Sequence, residues 1–418
     1  MSYVFFLLYL CIFSWLLTRS RFIIKSGLSN KVVVGLFIIK VIAGCVFYWM
    51  LLQTSTSIDT LGYNLFGLEE YHLLFNHPKE YFTNLFTSGY TNGYQGILSS
   101  ADSYWKDLAD NIVVKFLSIC DILSRGNYFI NVIIYNYVLF FGTIGLYRTF
   151  CKVYKNKQSL LIIGCFLLPS MLFNTSVIHK EGFILAAVNV VIFNIYAALQ
   201  KGPFKASRTF YIIAASAFIF LLRNYVFIAF LPAVFAWVLS SVKKYNAILT
   251  FSITYFVGAI IFFNINKLAD KINLPQSVSN KQESFEKLGM PHTYITVDTL
   301  KPTFKSFAVN APQALSHSLL RPYFTDIIMS PFLLPYIIEL LLYQLLLVLF
   351  IFFREKKTCS PDPFILFGFF FSISVLLIIG YIVPAIGPII RYRSIYLPFI
   401  LIPIICTIDW KRITLFYK

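Results

Sequence analysis

The chain has 418 residues, of which 58% are hydrophobic and 13% are charged, and its mean hydropathy is +0.74. Soluble domains carry about 25% charged residues, so this composition excludes an ordinary water-soluble enzyme. A net charge of +17 would suggest a nucleic-acid partner in a soluble protein. In an apolar chain the same excess is typical of basic loops on the cytoplasmic side of a membrane, so we expect no nucleic-acid partner.

Apolar runs of about 17 to 22 residues recur along the chain, which is long enough to cross a bilayer. They lack the alternation of apolar and polar residues that is typical of a transmembrane barrel strand, so they predict helices. The first run has no basic segment before it and no small-residue cleavage site after it, which favours a retained span over a signal peptide. The predicted fold class is an all-α, polytopic transmembrane helical bundle. We expect residues 1–418 to form a single integral membrane domain. Its roughly eleven predicted spans are 3–17, 32–52, 128–147, 159–176, 182–200, 209–222, 225–241, 246–264, 332–353, 364–383 and 394–409.

Short basic segments separate alternate spans and predict the topology. They lie at 19–31, 148–157, 201–208, 243–244, 354–357 and 411–418. If all are cytoplasmic, the N-terminus and two long connections, 53–127 and 265–330, are external and the C-terminus is cytoplasmic. The first connection should carry amphipathic helices. In one of them an apolar stripe recurs at helical spacing, formed by Trp105, Leu108, Ile112, Phe116 and Ile119.

An aspartate follows the second predicted span directly, in "STSIDTLGYNLFG". Asp59 lies just beyond the external end of that span, with Tyr63 one helical turn further on. A carboxylate at this position can accept a proton from a hydroxyl nucleophile or hold a divalent cation. A solvated loop residue or a helix cap is the alternative interpretation. The sequence leaves the need for a metal open.

Three adjacent ionisable residues interrupt two apolar runs in "NTSVIHKEGF". Charge at membrane depth is costly, so His179, Lys180 and Glu181 should lie at the external tip of a hairpin. Glu181 favours the positive end of the following helix, which leaves His179 and Lys180 to face a phosphate or pyrophosphate. The alternative is a Lys that reaches to the interface, with a capping Glu and an incidental His.

Several arginines are also predicted at external helix ends, although the basic segments of the chain are predicted on the cytoplasmic side. They are Arg223 in "FLLRNYVF", Arg321 in "SLLRPYFTD", and Arg391 and Arg393, which flank Tyr392 in "GPIIRYRSIYLPF". The guanidinium fork suits phosphate oxygens, so an anionic ligand is expected near them. Ion pairs with external carboxylates, or contacts with lipid headgroups, are the alternatives.

Other common sites have no support in the sequence. The seven cysteines lie mostly in apolar runs and form no CxxC motif, so neither a disulfide framework nor a zinc site is indicated. The sequence also has no GxxxxGK[ST] or strand-to-helix GxGxxG motif for a nucleotide, and no GxSxG or HExxH motif. An activated sugar donor, if one is used, is therefore expected to be lipid-linked.

With many spans, a long first external loop and the acidic "SIDTLGYNLFG" segment, the chain resembles the GT-C class of polyprenyl-phosphate-sugar-dependent glycosyltransferases. The resemblance implies that Asp59 is the catalytic base. It also implies that Lys180, Arg321, Arg391 and Arg393 hold the lipid phosphate, with a glycan or lipid as acceptor. The implied location is the bacterial cytoplasmic membrane. The chain departs from the class in two ways. Asp59 has no adjacent second carboxylate, and it follows the second predicted span rather than the first span.

Two alternatives stay open at this stage. Bacterial surface-polysaccharide polymerases are similar in length, span count and external arginines, and they imply a polyprenyl-pyrophosphate oligosaccharide as donor. A transporter or flippase of lipid-linked saccharides would need no chemistry. Transporters often show internal repeats and midplane charges. Here no repeat is visible and Glu339 is the main carboxylate within a predicted span, which modestly favours chemistry at one face.

Overall fold

The apolar segments form helices, because a backbone in lipid must satisfy its own hydrogen bonds. The structure, a computed structural model, describes residues 2–54, 59–89, 103–201, 205–267, 269, 272–287, 289, 291–355 and 362–416. Within these ranges extended backbone pairs only at two isolated bridges, so the predicted all-α class is confirmed. The α-helices are α1 Ser2–Arg19, α2 Arg21–Ile24, α3 Asn30–Thr54, α4 Asp59–Asn76, α5 Pro78–Thr83, α6 Tyr104–Ser124, α7 Tyr128–Val153, α8 Gln158–Phe166, α9 Pro169–Ser176, α10 Lys180–Lys201, α11 Ala206–Leu222, α12 Asn224–Lys243, α13 Ala247–Asn264, α14 Leu274–Lys287, α15 Phe304–Leu320, α16 Leu334–Phe353, α17 Pro363–Ile382, α18 Ile386–Arg393, α19 Leu397–Thr407 and α20 Trp410–Phe416. Short 3-10 helices occupy Asn84–Phe86, Ile265–Lys267, Phe324–Ile328 and Pro331–Leu333.

Seven helices in the described ranges are long and apolar enough to cross a membrane. The count rises to nine if two bent helix pairs, α8 with α9 and α18 with α19, each form one span. Two further apolar helices, Tyr3–Arg19 and Ala206–Leu222, are shorter. These lengths and compositions indicate a multi-pass membrane protein. Each predicted span overlaps one of these helices, but the count of eleven stays a prediction.

Helices α7 and α10 form the centre of the bundle. In both helices, 78% of the most apolar 18-residue stretch is buried inside the bundle. The corresponding share is 11% for α13 and 17% for α16, which lie at the periphery. Their close approach requires a small residue, because a Cβ at Gly142 would lie 2.6 Å from Cα of Ala186. Small residues at such contacts are common between helices in membranes, where packing rather than hydrophobicity favours association.

Helix breaks near prolines bring polar residues to one end of the bundle. The pair α8 and α9 bends by 49° at a break before Pro169, and the pair α18 and α19 bends by 60° before Leu397. Proline disfavours the helical conformation in the residue before it, which accounts for the first break. The end of α9 is then held from two sides. The Nζ atom of Lys40 donates to the hydroxyl of Ser176 (3.2 Å), and the Nδ2 atom of Asn136 donates to the carbonyl of Ser176 (2.8 Å).

The first predicted external connection contains α4, α5 and α6, and its residues 55–58 and 90–102 lie outside the described ranges. The predicted α6 helix is present, but its apolar stripe is placed differently. Val113 and Leu117 are fully buried, whereas Ile119 is 57% exposed. The reason is that α6 packs mainly on α4 and also contacts α7 and α11, so its buried side is broader than a single stripe.

The second predicted external connection contains α14 and α15 with an extended segment between them. In this segment the N–H of Ile295 donates to the carbonyl of Pro384 (2.9 Å), and the N–H of Ile386 donates to the carbonyl of Thr293 (3.0 Å). This pairing fixes the segment to the junction between α17 and α18. Helix α15 lies against α17 where the Gly380 backbone meets the Ala314 backbone. Both long connections therefore pack on the bundle.

Candidate functional site

A cavity of about 1600 Å³ lies where helix ends from both long connections meet the bundle. Its walls include residues of α3, α4, α6, α10, α12, α14, α17 and α18. One part of the lining is charged. Another part is apolar and includes Phe47, Met50, Leu51, Phe220 and Leu221. A ligand with both a charged group and a hydrocarbon group would match such a lining.

Seven of the nine residues predicted for the site line this cavity. They are Asp59, His179, Lys180, Glu181, Arg223, Arg391 and Tyr392. They come from separate segments of the chain, and helix starts supply two of the carboxylates. Asp59 begins α4, and Glu181 lies in the first turn of α10, where the helix dipole favours negative charge.

Ion pairs connect four of these residues in a chain. Arg391 donates from Nη1 to Oδ2 of Asp59 at 2.9 Å, and its Nε atom lies 3.4 Å from Oε1 of Glu181. Arg223 donates to the same Oε1 atom of Glu181. The Glu181 side chain is only 2% exposed, whereas that of Asp59 is 52% exposed. Glu181 therefore serves as the buried counter-ion of two arginines, and Asp59 is the more exposed of the two carboxylates.

Two pKa shifts define the charge state of the site. Burial alone would raise the pKa of Asp59, but the charge of Arg391 and its hydrogen bond to the carboxylate lower it below its usual value, so Asp59 is ionised at neutral pH. Burial lowers the pKa of His179 to about 4, and Arg391 adds to this effect. His179 is therefore neutral at physiological pH. Its backbone is fixed by Tyr135, whose hydroxyl donates to the His179 carbonyl at 2.7 Å.

Lys180 does not stand alone at the hairpin tip. Its Nζ atom lies 2.7 Å from Oδ1 of Asp110, a residue of α6. The hydroxyl of Tyr63 donates to the same oxygen at 2.6 Å. The Lys180 side chain is 15% exposed and the Asp110 side chain 29%. This pair ties α4, α6 and α10 together at the rim of the cavity.

Aromatic rings support the Arg223 guanidinium. The carbon Cζ of Arg223 lies 3.9 Å from the centre of the Tyr392 ring, and its Nη1 atom donates to the hydroxyl of Tyr225 at 2.8 Å. The Tyr392 hydroxyl also accepts from Nη2 of Arg391 at 3.2 Å. Stacking and hydrogen bonds at this spacing hold both arginines in fixed directions.

The structure places Arg321 and Arg393 away from the cavity lining. Arg393 is 2% exposed and donates from Nη1 to the carbonyl of Ser318 at 3.2 Å and to that of Arg321. Arg321 pairs with Oδ1 of Asp326 at 3.1 Å, which is the ion pair considered as its alternative role. Their predicted role as phosphate ligands stays a prediction, and we do not include them in the site.

The lining also includes Asp110, Tyr225 and Lys281, which contact or neighbour the predicted residues but were not predicted from the sequence. Asp110 lies on the side of α6 opposite the predicted apolar stripe, where an aspartate gives no distinctive signal. Lys281 belongs to the polar α14 helix, where a lysine gives no distinctive signal. Tyr225 follows Arg223 by two residues, and this proximity is the one sequence feature that could have indicated it.

A metal site was left open by the sequence. Among the residues that the structure describes, no three His, Cys, Asp or Glu side chains are grouped closely enough to hold a metal ion.

Comparisons with known proteins identify no relative. No protein-family model matches the chain, and no curated protein or solved structure is significantly similar to it. The resemblance to GT-C glycosyltransferases therefore stays an expectation from the sequence.

Proposed function

We propose that the chain is a membrane glycosyltransferase that moves a sugar from a polyprenyl-phosphate-linked donor to an acceptor hydroxyl. One observation carries the proposal. The half-exposed, ionised carboxylate of Asp59 and the guanidinium of Arg391 share a cavity whose lining is part charged and part apolar. This combination provides a proton acceptor, a phosphate-binding group and space for a hydrocarbon chain in one place.

The apolar part of the lining supports a lipid-linked ligand. Phe47, Met50 and Leu51 lie near the end of α3, and Phe220 and Leu221 lie near the end of α11. Burial of hydrocarbon surface contributes about 25 cal/mol per Å², so even a few buried isoprene units add substantial affinity. A nucleotide sugar would gain little from such a wall.

In the proposed reaction the acceptor hydroxyl oxygen forms a bond to the anomeric carbon as the bond from that carbon to the phosphate oxygen breaks. The electron pair leaves with the phosphate, whose developing charge Arg391 stabilises. The hydroxyl proton passes to Asp59, which later returns it to water. A single displacement of this kind inverts the configuration at the sugar carbon.

The ion pair between Arg391 and Asp59 links binding to chemistry in this proposal. In the empty cavity Arg391 lowers the pKa of Asp59 and makes it a weak base. A donor phosphate competes for the same guanidinium. When the phosphate charge offsets that of Arg391, the pKa of Asp59 rises, and the carboxylate becomes a better proton acceptor. The base is then activated only when the donor is in place.

The topology belongs to the proposal as well. We place the cavity at the external face of a bacterial cytoplasmic membrane, with eleven spans and a cytoplasmic C-terminus. The basic segments between alternate spans support this orientation. Single cysteines at the exposed positions Glu80 and Glu283, in a cysteine-depleted background, should both react with a membrane-impermeant thiol reagent added to intact cells. Reaction at only one of them would contradict the orientation.

The function can be tested with purified protein in lipid nanodiscs, supplied with polyprenyl-phosphate-linked sugars and a panel of acceptors. Wild type should form a glycosidic product, and Asp59→Asn should lower the rate at least 100-fold, the usual scale for loss of a general base. Asp298→Asn is the control, because Asp298 is exposed and lies outside the cavity lining. Transfer by Asp59→Asn at the wild-type rate would remove Asp59 as the base.

The same preparation separates the alternative functions. A polymerase would use the same cavity and the same step with polyprenyl-pyrophosphate oligosaccharides, and would yield product only with those donors. Protein reconstituted in vesicles that moves labelled lipid across the bilayer without a glycosidic product would instead be a transporter.

A further inference from the structure

Lys281 differs from the neighbouring cations of the cavity lining in its charge partners. Lys180, Arg223 and Arg391 each contact one or two of the carboxylates Asp59, Asp110 and Glu181. Lys281 has no carboxylate within ion-pair distance among the described residues. The positive charge of its ammonium group is therefore not compensated by a neighbouring side chain.

Lys281 lies among other cations. Its Nζ atom is 5.0 Å from the centre of the Tyr225 ring, and the hydroxyl of that ring accepts a hydrogen bond from Arg223. Burial, together with the charges of Arg223 and Lys180, lowers the pKa of Lys281 to about 8. The cation–π contact offsets part of this cost, but it supplies no counter-charge. A bound oxyanion would supply one.

The position of Lys281 is fixed by its neighbour in α14. Gln282 is 3% exposed, and its Nε2 atom donates to the carbonyls of Tyr381 (2.9 Å) and Asp298 (3.0 Å). Its Oε1 atom accepts from the N–H of Leu300 at 2.8 Å. These three bonds attach α14 to the end of α17 and to the extended segment. The helix that carries Lys281 is therefore fixed at the cavity by buried hydrogen bonds.

We propose that Lys281, together with Lys180 and Arg223, forms a second oxyanion-binding subsite of the cavity. The first oxyanion is the donor phosphate at Arg391, and the second is a further phosphoryl or carboxylate group on the lipid-linked ligand. The assignment of that ligand rests on the proposed function, whereas the subsite itself is a statement about anion binding. The ammonium donates hydrogen bonds to the oxyanion and neutralises its charge.

The subsite can be tested by calorimetric titration of the purified protein in nanodiscs with inorganic phosphate and with inorganic pyrophosphate. Lys281→Met should weaken binding of pyrophosphate by about 10- to 100-fold, the effect of removing one charged hydrogen bond. Lys281→Arg should keep most of the affinity. Lys287→Met is the matched control, because Lys287 lies on the same helix, is 73% exposed and pairs with Glu283.

Thermal unfolding without added anion distinguishes a ligand-binding lysine from a structural one. Lys281→Met should melt at or above the wild-type temperature, since the change removes repulsion with Arg223 and Lys180. A loss of affinity for pyrophosphate that exceeds the loss for phosphate assigns the subsite to adjacent phosphoryl groups. Equal losses assign it to a separate group such as a carboxylate.

Unchanged affinity for both anions in Lys281→Met would overturn the proposal. A loss of affinity accompanied by a marked fall in the melting temperature would overturn it as well, because it would assign Lys281 a structural role. The proposed function fails separately. If wild type transfers no sugar but Lys281→Met still loses anion affinity, the subsite stands without the glycosyltransferase. If wild type transfers sugar but Lys281→Met keeps its anion affinity, the glycosyltransferase stands without the subsite.

Discussion

Glu181 is the residue whose replacement tests the charge network most severely. Its side chain is 2% exposed, contacts Arg223 and lies 3.4 Å from Nε of Arg391. Glu181→Gln keeps the size and shape of the side chain but removes the shared counter-ion. Two guanidinium groups then remain at the cavity with only the half-exposed Asp59 to balance them.

The size of the effect follows from the geometry. At an effective dielectric constant of about 20, opposite unit charges at the 3.4 Å separation of Glu181 and Arg391 attract by about 5 kcal/mol. Removing one partner of a buried ion pair costs about 3–5 kcal/mol in measured cases, because the other charge stays buried without compensation. We expect Glu181→Gln to lower the free energy of unfolding by an amount in that range.

The assay is SDS-induced unfolding of the purified protein in mixed micelles, followed by tryptophan fluorescence. Glu283→Gln is the control, because Glu283 forms an ion pair with Lys287 but is 61% exposed. An exposed pair of this kind contributes at most about 1 kcal/mol. If Glu181→Gln and Glu283→Gln shift the unfolding curve equally, the buried network described here does not stabilise the site.

Two further predictions concern the backbone and the pH dependence of the cavity. Gly182→Ala should destabilise the protein by about 1–3 kcal/mol in the same assay, because the added Cβ would lie 2.5 Å from a side-chain carbon of Leu139. Gly35→Ala is the control and should be neutral or stabilising, because a Cβ at Gly35 would have no neighbouring atom within 4 Å. Sulfate affinity should fall as the pH rises through about 8, where Lys281 loses its proton in the empty cavity, and should stay flat in Lys281→Arg. A wild-type affinity that does not change with pH would contradict the second prediction.

The sequence was sufficient for the helical class and for much of the charged cavity, because charge is scarce in this chain. His179, Lys180 and Glu181 interrupt two apolar runs, and the cost of placing such residues in lipid restricts them to a helix end or to a partner. The same argument indicated Asp59 and Arg223. The structure adds the pairing, which the sequence does not contain.

The remaining features depend on contacts between distant segments. Arg391 and Arg393 look equivalent in the sequence, but they lie on different sides of α18, which bends by 60° into α19. Arg391 therefore lines the cavity, and Arg393 donates to buried carbonyls. Lys281 resembles any lysine of a polar helix until Gln282 fixes α14 to α17. Periodicity alone cannot predict either arrangement.

The most direct test of the account is the affinity of the purified protein in nanodiscs for a short polyprenyl phosphate, compared with the corresponding alcohol. The account predicts that farnesyl phosphate binds at least about 10-fold more tightly than farnesol. It also predicts that Arg391→Met removes this difference while Lys287→Met leaves it intact. Equal affinity of the two lipids for wild type, or a difference that persists in Arg391→Met, would contradict the account.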